Sequence, residues 1–135
     1  MSNPEITNVD LGAVELEGGR FNHDKTLTVA ATTTIKAGTI LAFSTATSKF
    51  VPFVVGGADG TGEPKAVITY EVKNETGSPV DNVASLLVEG RVRLEKLVIQ
   101  ADGDASNVDQ AVIDQLRDYG ITPQSVQETS VLDNQ

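Results

Sequence analysis

Alternation of apolar and polar side chains is the feature that most constrains the fold of this chain. It is clearest over residues 65–72, where Ala66, Ile68, Tyr70 and Val72 face one way and Lys65, Val67, Thr69 and Glu71 face the other. Successive side chains of a β-strand point to opposite faces, so this period of two predicts a half-buried strand. The fold must therefore be built around strands that bury one face.

Further strand signals lie on both sides of this segment. The stretch "KAGTILAFSTATSKFVPF" (residues 36–53) predicts a hairpin with strands at about residues 39–43 and 50–55. Pro52 carries no N–H, so the second strand is predicted to lie at an edge or to be interrupted there. Residues 83–88 are nearly all apolar, as in a strand that is buried on both faces. Together these segments predict a mainly β domain.

Only one segment has helical periodicity. Its apolar stripe recurs at helical spacing and consists of Val108, Ala111, Val112, Leu116 and Tyr119. Ser106 or Asn107 can cap its start, and Gly120 suits the left-handed position that ends many helices. The sequence predicts one C-terminal helix over about residues 107–119, followed by a polar C-terminal tail.

Residues 1–25 differ from the rest of the chain. They are mostly polar, and their apolar residues are scattered: Ile6, Val9, Leu11, Val14 and Leu16. Such a segment is too polar to build a core of its own. We interpret residues 1–25 as an extended N-terminal arm and residues 26–135 as a single β domain.

The charge of the chain restricts its partners. The net charge is −9, and the acidic residues are concentrated towards the two ends of the 135 residues. An acidic surface repels phosphate, so no nucleic-acid partner is expected. The absence of cysteine excludes disulfides and zinc–thiolate sites. The N-terminus lacks the pattern of a signal peptide, and no apolar run approaches the roughly 20 residues of a membrane helix, so no membrane partner is expected either.

Motifs that suggest chemistry are incomplete. His23 is the only histidine and has no evident partner residue. "DGDASN" (residues 102–107) begins like a calcium loop, but Asn107 replaces the glycine of the sharp turn and Ile113 replaces the bidentate glutamate. "GADGTG" (residues 57–62) precedes a predicted strand, whereas a phosphate-binding loop opens a helix. We therefore expect no enzyme activity, no cofactor and no metal, which favours a structural or binding protein.

Several short motifs occur in an order that is itself informative. They are Gly38-Thr39-Ile40-Leu41, Lys49-Phe50-Val51, Ala66-Val67-Ile68 and Val88-Glu89-Gly90, with Leu116 and Gly120-Ile121 near the end. Their order and spacing, over about residues 26–123, resemble the phage lambda-type head decoration (capsid-stabilising) proteins. Residues 1–25 match no motif of that family.

The resemblance implies a β-clip-like small barrel or sandwich that assembles as a homotrimer. Such trimers bind the major capsid protein on the outside of the expanded phage head and stabilise the shell against the pressure of packaged DNA. By analogy, the arm adds a strand to the capsid protein, with Ile6, Val9, Leu11, Val14 and Leu16 as the contacting residues. The resemblance places the protein in the host cytoplasm before assembly and on the outer capsid surface of the virion afterwards.

The residues alone leave another class open, a β-rich receptor- or carbohydrate-binding module on a virion or cell surface. Such a module is expected to expose aromatic rings on which sugars stack. This chain has four Phe, two Tyr and no Trp, so its composition favours the decoration protein.

Overall fold

The computed structural model describes residues 14–16 and 21–125. The strands are β1 (Phe21–Val29), β2 (Thr33–Ile35), β3 (Ile40–Ser44), β4 (Lys49–Pro52), β5 (Pro64–Ile68), β6 (Val72–Asn74), β7 (Val80–Arg93) and β8 (Ile121–Gln124). One α-helix, α1 (Gln110–Asp118), and a short 3₁₀ helix (Leu94–Lys96) lie between β7 and β8. The predicted class, mainly β with one C-terminal helix, is confirmed.

Five strands close into a small barrel in the order β1-β4-β3-β5-β7, with β7 paired back to β1. The closing pair is antiparallel and runs from Phe21↔Glu89 to Val29↔Val80. Strand β8 lies outside the barrel, where it pairs in parallel with the end of β7, and β2 and β6 form a separate two-stranded sheet. Closing a sheet on itself leaves its strands without free edges, so the barrel is protected from pairing with other chains.

Strand β1 begins earlier than the sequence analysis expected. Residues 21–25, which were assigned to the arm of residues 1–25, pair with β7 from Glu89 to Ala84. Their side chains are exposed, so their polar pattern gave no sign of a strand. Backbone hydrogen bonds, which the side-chain pattern does not reveal, hold this segment in the sheet.

The predicted hairpin is confirmed as β3 and β4. The two strands pair from Leu41↔Pro52 to Ser44↔Lys49, and Pro52 is the last residue of β4. Phe43 and Phe50 lie opposite each other in this pair of strands, and their rings contact edge to face with centroids 5.4 Å apart. Such aromatic pairs add about 0.5–1.5 kcal/mol beyond the area that they bury.

The hydrophobic core has two layers. The inner layer fills the barrel and consists of Leu27, Val29, Ile35, Leu41, Phe50, Ala66, Ile68, Ala84 and Leu86. The outer layer includes residues of the barrel strands, the 3₁₀ region and the helix: Val14, Ile40, Ala42, Phe53, Val67, Leu87, Val92, Leu97, Ile99, Val112, Leu116 and Ile121. A helix packed on the outside of a barrel therefore gives some strands two buried faces.

The two layers explain why the strand predicted over residues 65–72 is shorter. Ala66 and Ile68 belong to the inner layer and Val67 to the outer layer, so β5 is buried on both faces and ends at Ile68. Tyr70 is exposed, and Val72 begins the separate strand β6. The alternation was real, but it continued across a break between two strands.

Helix α1 is shorter than the predicted helix of residues 107–119. Asp109 is its N-cap, and the Asp109 carboxylate accepts a hydrogen bond from the Val112 N–H at 3.1 Å. Of the predicted stripe, Val112 and Leu116 are buried, whereas Ala111 and Tyr119 are exposed. Gly120 follows with φ +90°, as predicted for the residue that ends a helix.

Strand β8 was not predicted: residues 121–124 lie between the predicted helix and the polar tail that follows it. Ile121 is fully buried in the outer layer, and Pro123 lies opposite Val92 of β7. A proline is tolerated there because β8 is the last strand in the order of the sheet. The predicted tail beyond residue 125 lies outside the described residues.

Candidate functional site

The residues predicted to contact a capsid fall into two groups. Ile6, Val9 and Leu11 lie outside the described residues. Val14 and Leu16 lie in the short described segment 14–16, which runs antiparallel to the end of β7 with Glu15 opposite Val92. The structure thus locates two of the five residues, and both lie on the segment that is paired with the barrel domain.

Segment 14–16 is fastened to β7 by backbone hydrogen bonds. The Leu16 N–H donates to the Arg91 carbonyl at 2.9 Å, and the Arg93 N–H donates to the Val14 carbonyl at 2.8 Å. In an antiparallel pair the residue between two such bonds points its own N–H and C=O away from the partner strand. The backbone of Glu15 therefore faces away from β7.

The side chain of Val14 is not available on the surface. It is only 3% exposed and belongs to the outer layer of the core, while Leu16 is half-buried. Burial of a valine side chain contributes about 1.5–3 kcal/mol. Val14 was predicted to contact the capsid protein, whereas in the structure its side chain lies in the core and anchors the N-terminal segment to the domain.

His23 lies on the exposed part of β1, opposite Leu86. Within residues 14–16 and 21–125, no group of three His, Asp or Glu side chains is placed to hold a metal ion. The helix of this part of the chain is also too short to cross a membrane.

The loop of residues 102–107 is held by its own hydrogen bonds. Asn107 Nδ2 donates to Asp102 Oδ2 at 2.9 Å, and the Ser106 N–H donates to Asp104 Oδ1 at 2.9 Å. Hydrogen bonds from Ser106 lower the pKa of the Asp104 carboxyl. Lys36 Nζ donates to the Gly103 carbonyl at 3.0 Å and ties the loop to the domain. These hydrogen bonds hold the loop together and attach it to the domain.

Added calcium is therefore expected to leave the melting temperature unchanged within error, as is a chelator. The physical reason is that Asp102 and Asp104 already accept hydrogen bonds from neighbouring residues, and the position of the bidentate glutamate is occupied by Ile113. Differential scanning calorimetry in EDTA and in calcium checks this. A rise of several degrees with calcium, abolished in Asp104→Asn, would show that the loop binds the ion.

The glycine-rich segment of residues 56–63 connects β4 to β5 and precedes a strand. The Val54 N–H donates to the Thr61 carbonyl and Thr61 Oγ1 donates to the Ala58 carbonyl, so the segment folds back on itself. A Cβ on Gly57 would lie 2.2 Å from Thr61 Oγ1, which explains that glycine by close packing. The segment is a compact connection between two strands.

Side-chain contacts on the surface link the segment of residues 56–63 and the start of β5 to the end of α1. Tyr119 Oη donates to the Glu63 carboxylate at 2.9 Å, and Lys65 Nζ lies 5.3 Å from the centre of the Tyr119 ring. The hydrogen bond to Glu63 raises the pKa of the Tyr119 hydroxyl. The three side chains fix the position of an exposed aromatic residue on the surface.

An apolar groove lies at the other end of α1. It encloses about 340 Å³ and is lined by the apolar residues Val54, Val55, Ile99 and Ala101 and by the polar residues Asp102, Asn107 and Asp109. We call it the valine groove. No pattern in the sequence indicates this groove, because the segment after β4 and the loop after Val98 come together only in the folded chain.

The chain is a small closed β-barrel with a helix on its outer face and an N-terminal segment anchored to the last part of β7. Residues 10–121 match the family model of the bacteriophage lambda head decoration protein D. The chain belongs to this family of structural phage capsid proteins, and the family match supports a role in capsid decoration. No curated protein matches the chain.

The family match confirms the resemblance noted in the sequence. It favours head decoration over the receptor- or carbohydrate-binding module that the residues alone left open.

Proposed function

We propose that this protein binds as trimers to the outside of an expanded phage head and stabilises the shell against the pressure of packaged DNA. In this proposal the partners are the major capsid protein and two further copies of the chain. The protein is in the host cytoplasm before assembly and on the outer capsid surface afterwards. Ile6, Val9 and Leu11 contact the capsid protein, while Val14 and Leu16 anchor the arm.

The observation that carries this proposal is the attachment of segment 14–16 to β7. Its two backbone hydrogen bonds and the buried Val14 fix the point on the domain to which residues 1–13 are joined. In this proposal the arm binds a sheet edge of the capsid protein, which supplies backbone hydrogen bonds and apolar contact to Ile6, Val9 and Leu11. These contacts offset the cost of fixing the backbone, about 1–2 kcal/mol per residue.

The charge of the chain suits the outside of the head. A net charge of −9 gives no electrostatic attraction to the DNA inside, since phosphate binding depends on Lys and Arg. Affinity for the shell must then come from backbone pairing and apolar contact. Three arms on one trimer bind together, so each arm can be weak on its own.

Cryo-electron microscopy of heads assembled with and without this protein tests the proposal. We expect protrusions at three-fold and quasi-three-fold positions of the outer surface only when the protein is present. DNA-filled heads should also survive heating to a higher temperature when they are decorated. Density at five-fold vertices, on the inner surface or on the tail would refute the proposed location.

Single charges in the arm provide a finer test. Val9→Asp is expected to weaken binding to expanded heads at least about tenfold, because it places a charge on the apolar side of an added strand. Asn8→Asp introduces the same charge at the neighbouring position, which faces the other way in a strand, and is expected to change binding little. Co-sedimentation with undecorated expanded heads measures both. Equal binding by the two variants would mean that the arm does not bind as a strand.

A further inference from the structure

We infer that the open edge of β1 in one copy pairs with the open edge of β7 in the next copy, so that the sheet continues from subunit to subunit around a ring. This inference rests on the proposed trimer and names the surfaces that form it. Its basis is that β1 and β7 are longer than the strands that lie beside them in the barrel. Each of them therefore has an end that extends past its neighbour.

The first half of β1 is paired on one side only. Residues 21–29 all pair with β7, whereas the parallel pair with β4 is limited to Leu27↔Phe50. Closing a sheet removes a free edge only where the neighbouring strands overlap. Residues 21–25 lie before that overlap, so the side of this segment that faces away from β7 is an open edge.

The first half of β7 is open on its opposite side. Its antiparallel pair with β5 is limited to Val67↔Leu87 and Ile68↔Leu86, so residues 80–85 lie beyond the end of β5. This open edge is similar in length to that of β1. The two edges lie on opposite sides of the β1–β7 pair, because β4 adjoins β1 and β5 adjoins β7.

One hydrogen bond fixes the direction of the backbone groups along these edges. The Ser85 N–H donates to Tyr70 Oη at 3.0 Å, on the β5 side of β7, so the backbone of Ser85 points away from β1. This direction alternates along an antiparallel pair, and the register of the pair is unbroken over residues 22–29 of β1. The outward N–H and C=O groups are then those of Asn22 and Asp24 on β1 and of Asp81 and Val83 on β7.

These outward groups have no backbone partner within residues 14–16 and 21–125. Unpaired groups along a strand are a template for another strand, and native proteins usually guard them with Lys, Pro or a bulge. The β1 edge carries Lys25 and a register shift beside Asn22, whereas the β7 edge has none of these guards. Residues 80–85 read VDNVAS, and Val83 is 74% exposed. The β7 edge is thus prepared for a strand from another molecule.

Pairing between two different edges has a geometric consequence. An edge that pairs with the same edge of another copy is related to it by a two-fold axis and gives a dimer, whereas β1 joined to β7 is a head-to-tail contact. Every copy offers one edge of each kind. When three copies close a ring, both edges of every copy are used, which matches the proposed trimer.

Hydrogen exchange of single backbone amides, measured by NMR on the full-length protein, tests the pairing directly. In protein diluted until it is monomeric, the amides of Asn22, Asp24, Asp81 and Val83 are expected to exchange fast. Amides of the alternate residues bond across the β1–β7 pair, so they exchange slowly and serve as an internal control. At concentrations where the trimer forms, we expect exchange of the four outward amides to slow at least about tenfold.

A proline substitution removes one outward N–H and leaves the bonds between β1 and β7 in place. Val83→Pro is expected to raise the concentration at which trimers dissociate at least about tenfold in sedimentation velocity, because a C=O of the next copy loses its donor. Val83→Thr is the matched control, since it keeps both the N–H and a β-branched side chain. Proline is tolerated at an edge position whose N–H faces solvent, and circular dichroism of both variants checks that the barrel is folded.

The outcomes separate this pairing from the proposed function. A trimer in which the four outward amides exchange as fast as in the monomer would overturn the pairing and leave the trimer standing. So would a folded Val83→Pro protein that forms trimers as readily as Val83→Thr. Slow exchange of these amides in the monomer would show that the chain covers its own edges, which also overturns the pairing. A wild type that is monomeric at every concentration would refute the trimer and the pairing together.

Discussion

Removal of residues 1–13 is expected to leave the domain folded while abolishing most of its binding to expanded heads. The deleted segment contains Ile6, Val9 and Leu11, and none of the hydrogen bonds that hold segment 14–16 on β7. If each arm contributes about 2 kcal/mol, three arms contribute about 6 kcal/mol, which corresponds to a loss of affinity on the order of 10⁴. Co-sedimentation with undecorated expanded heads measures the loss, and a melting curve of each protein shows whether the fold survives.

The structure sets where this truncation must be made. A longer deletion, of residues 1–20, also removes Val14, which is 3% exposed in the outer layer of the core, and the two hydrogen bonds to Arg91 and Arg93. We expect that protein to melt at a lower temperature. Its weaker binding could then result either from lost stability or from lost capsid contacts. Full binding by the protein lacking residues 1–13 would move the capsid contact to the barrel domain. Its conversion to monomers would instead place the arm in the trimer interface.

The sequence was informative where local pattern and local structure coincide. The β3–β4 hairpin followed from alternation around a turn, and Gly120 from the requirement for a positive φ at the end of a helix. Gly38 belongs to the first family-like motif, and the structure gives a physical reason for a glycine there: its φ is +94°, and a Cβ would lie 1.9 Å from the Lys96 carbonyl oxygen. The family, the mainly β class and the helix were all accessible from such signals.

The sequence was uninformative where contacts join distant parts of the chain. Val14 resembles the other scattered apolar residues of the arm, and only its pairing with β7, in the second half of the chain, buries it. Residues 21–25 form a strand through backbone hydrogen bonds, which leave no trace in the side-chain pattern. The valine groove depends on the approach of Val54 and Val55 to the loop after Val98. Periodicity describes which face of an element is apolar, but it does not identify the partner of that face.

Helix α1 offers the sharpest test of the two-layered core. Leu116 is fully buried between the helix and the outer face of the barrel. Leu116→Ala is expected to lower the free energy of unfolding by about 2–5 kcal/mol, through lost burial and the cavity that remains. Urea unfolding at one fixed protein concentration measures this, since dissociation of a trimer makes apparent stability depend on concentration.

Asp114→Ala is the matched control for Leu116→Ala on the same helix. Asp114 is exposed, and its carboxylate accepts a solvent-accessible hydrogen bond from Gln110. We expect Asp114→Ala to change the free energy of unfolding by less than about 0.5 kcal/mol, as is usual for a surface substitution. Equal destabilisation by the two substitutions would mean that α1 does not pack on the barrel through the Val112–Leu116 face. The outer layer of the core, which also buries Val14, would then not be the packed interface between helix and barrel that we describe.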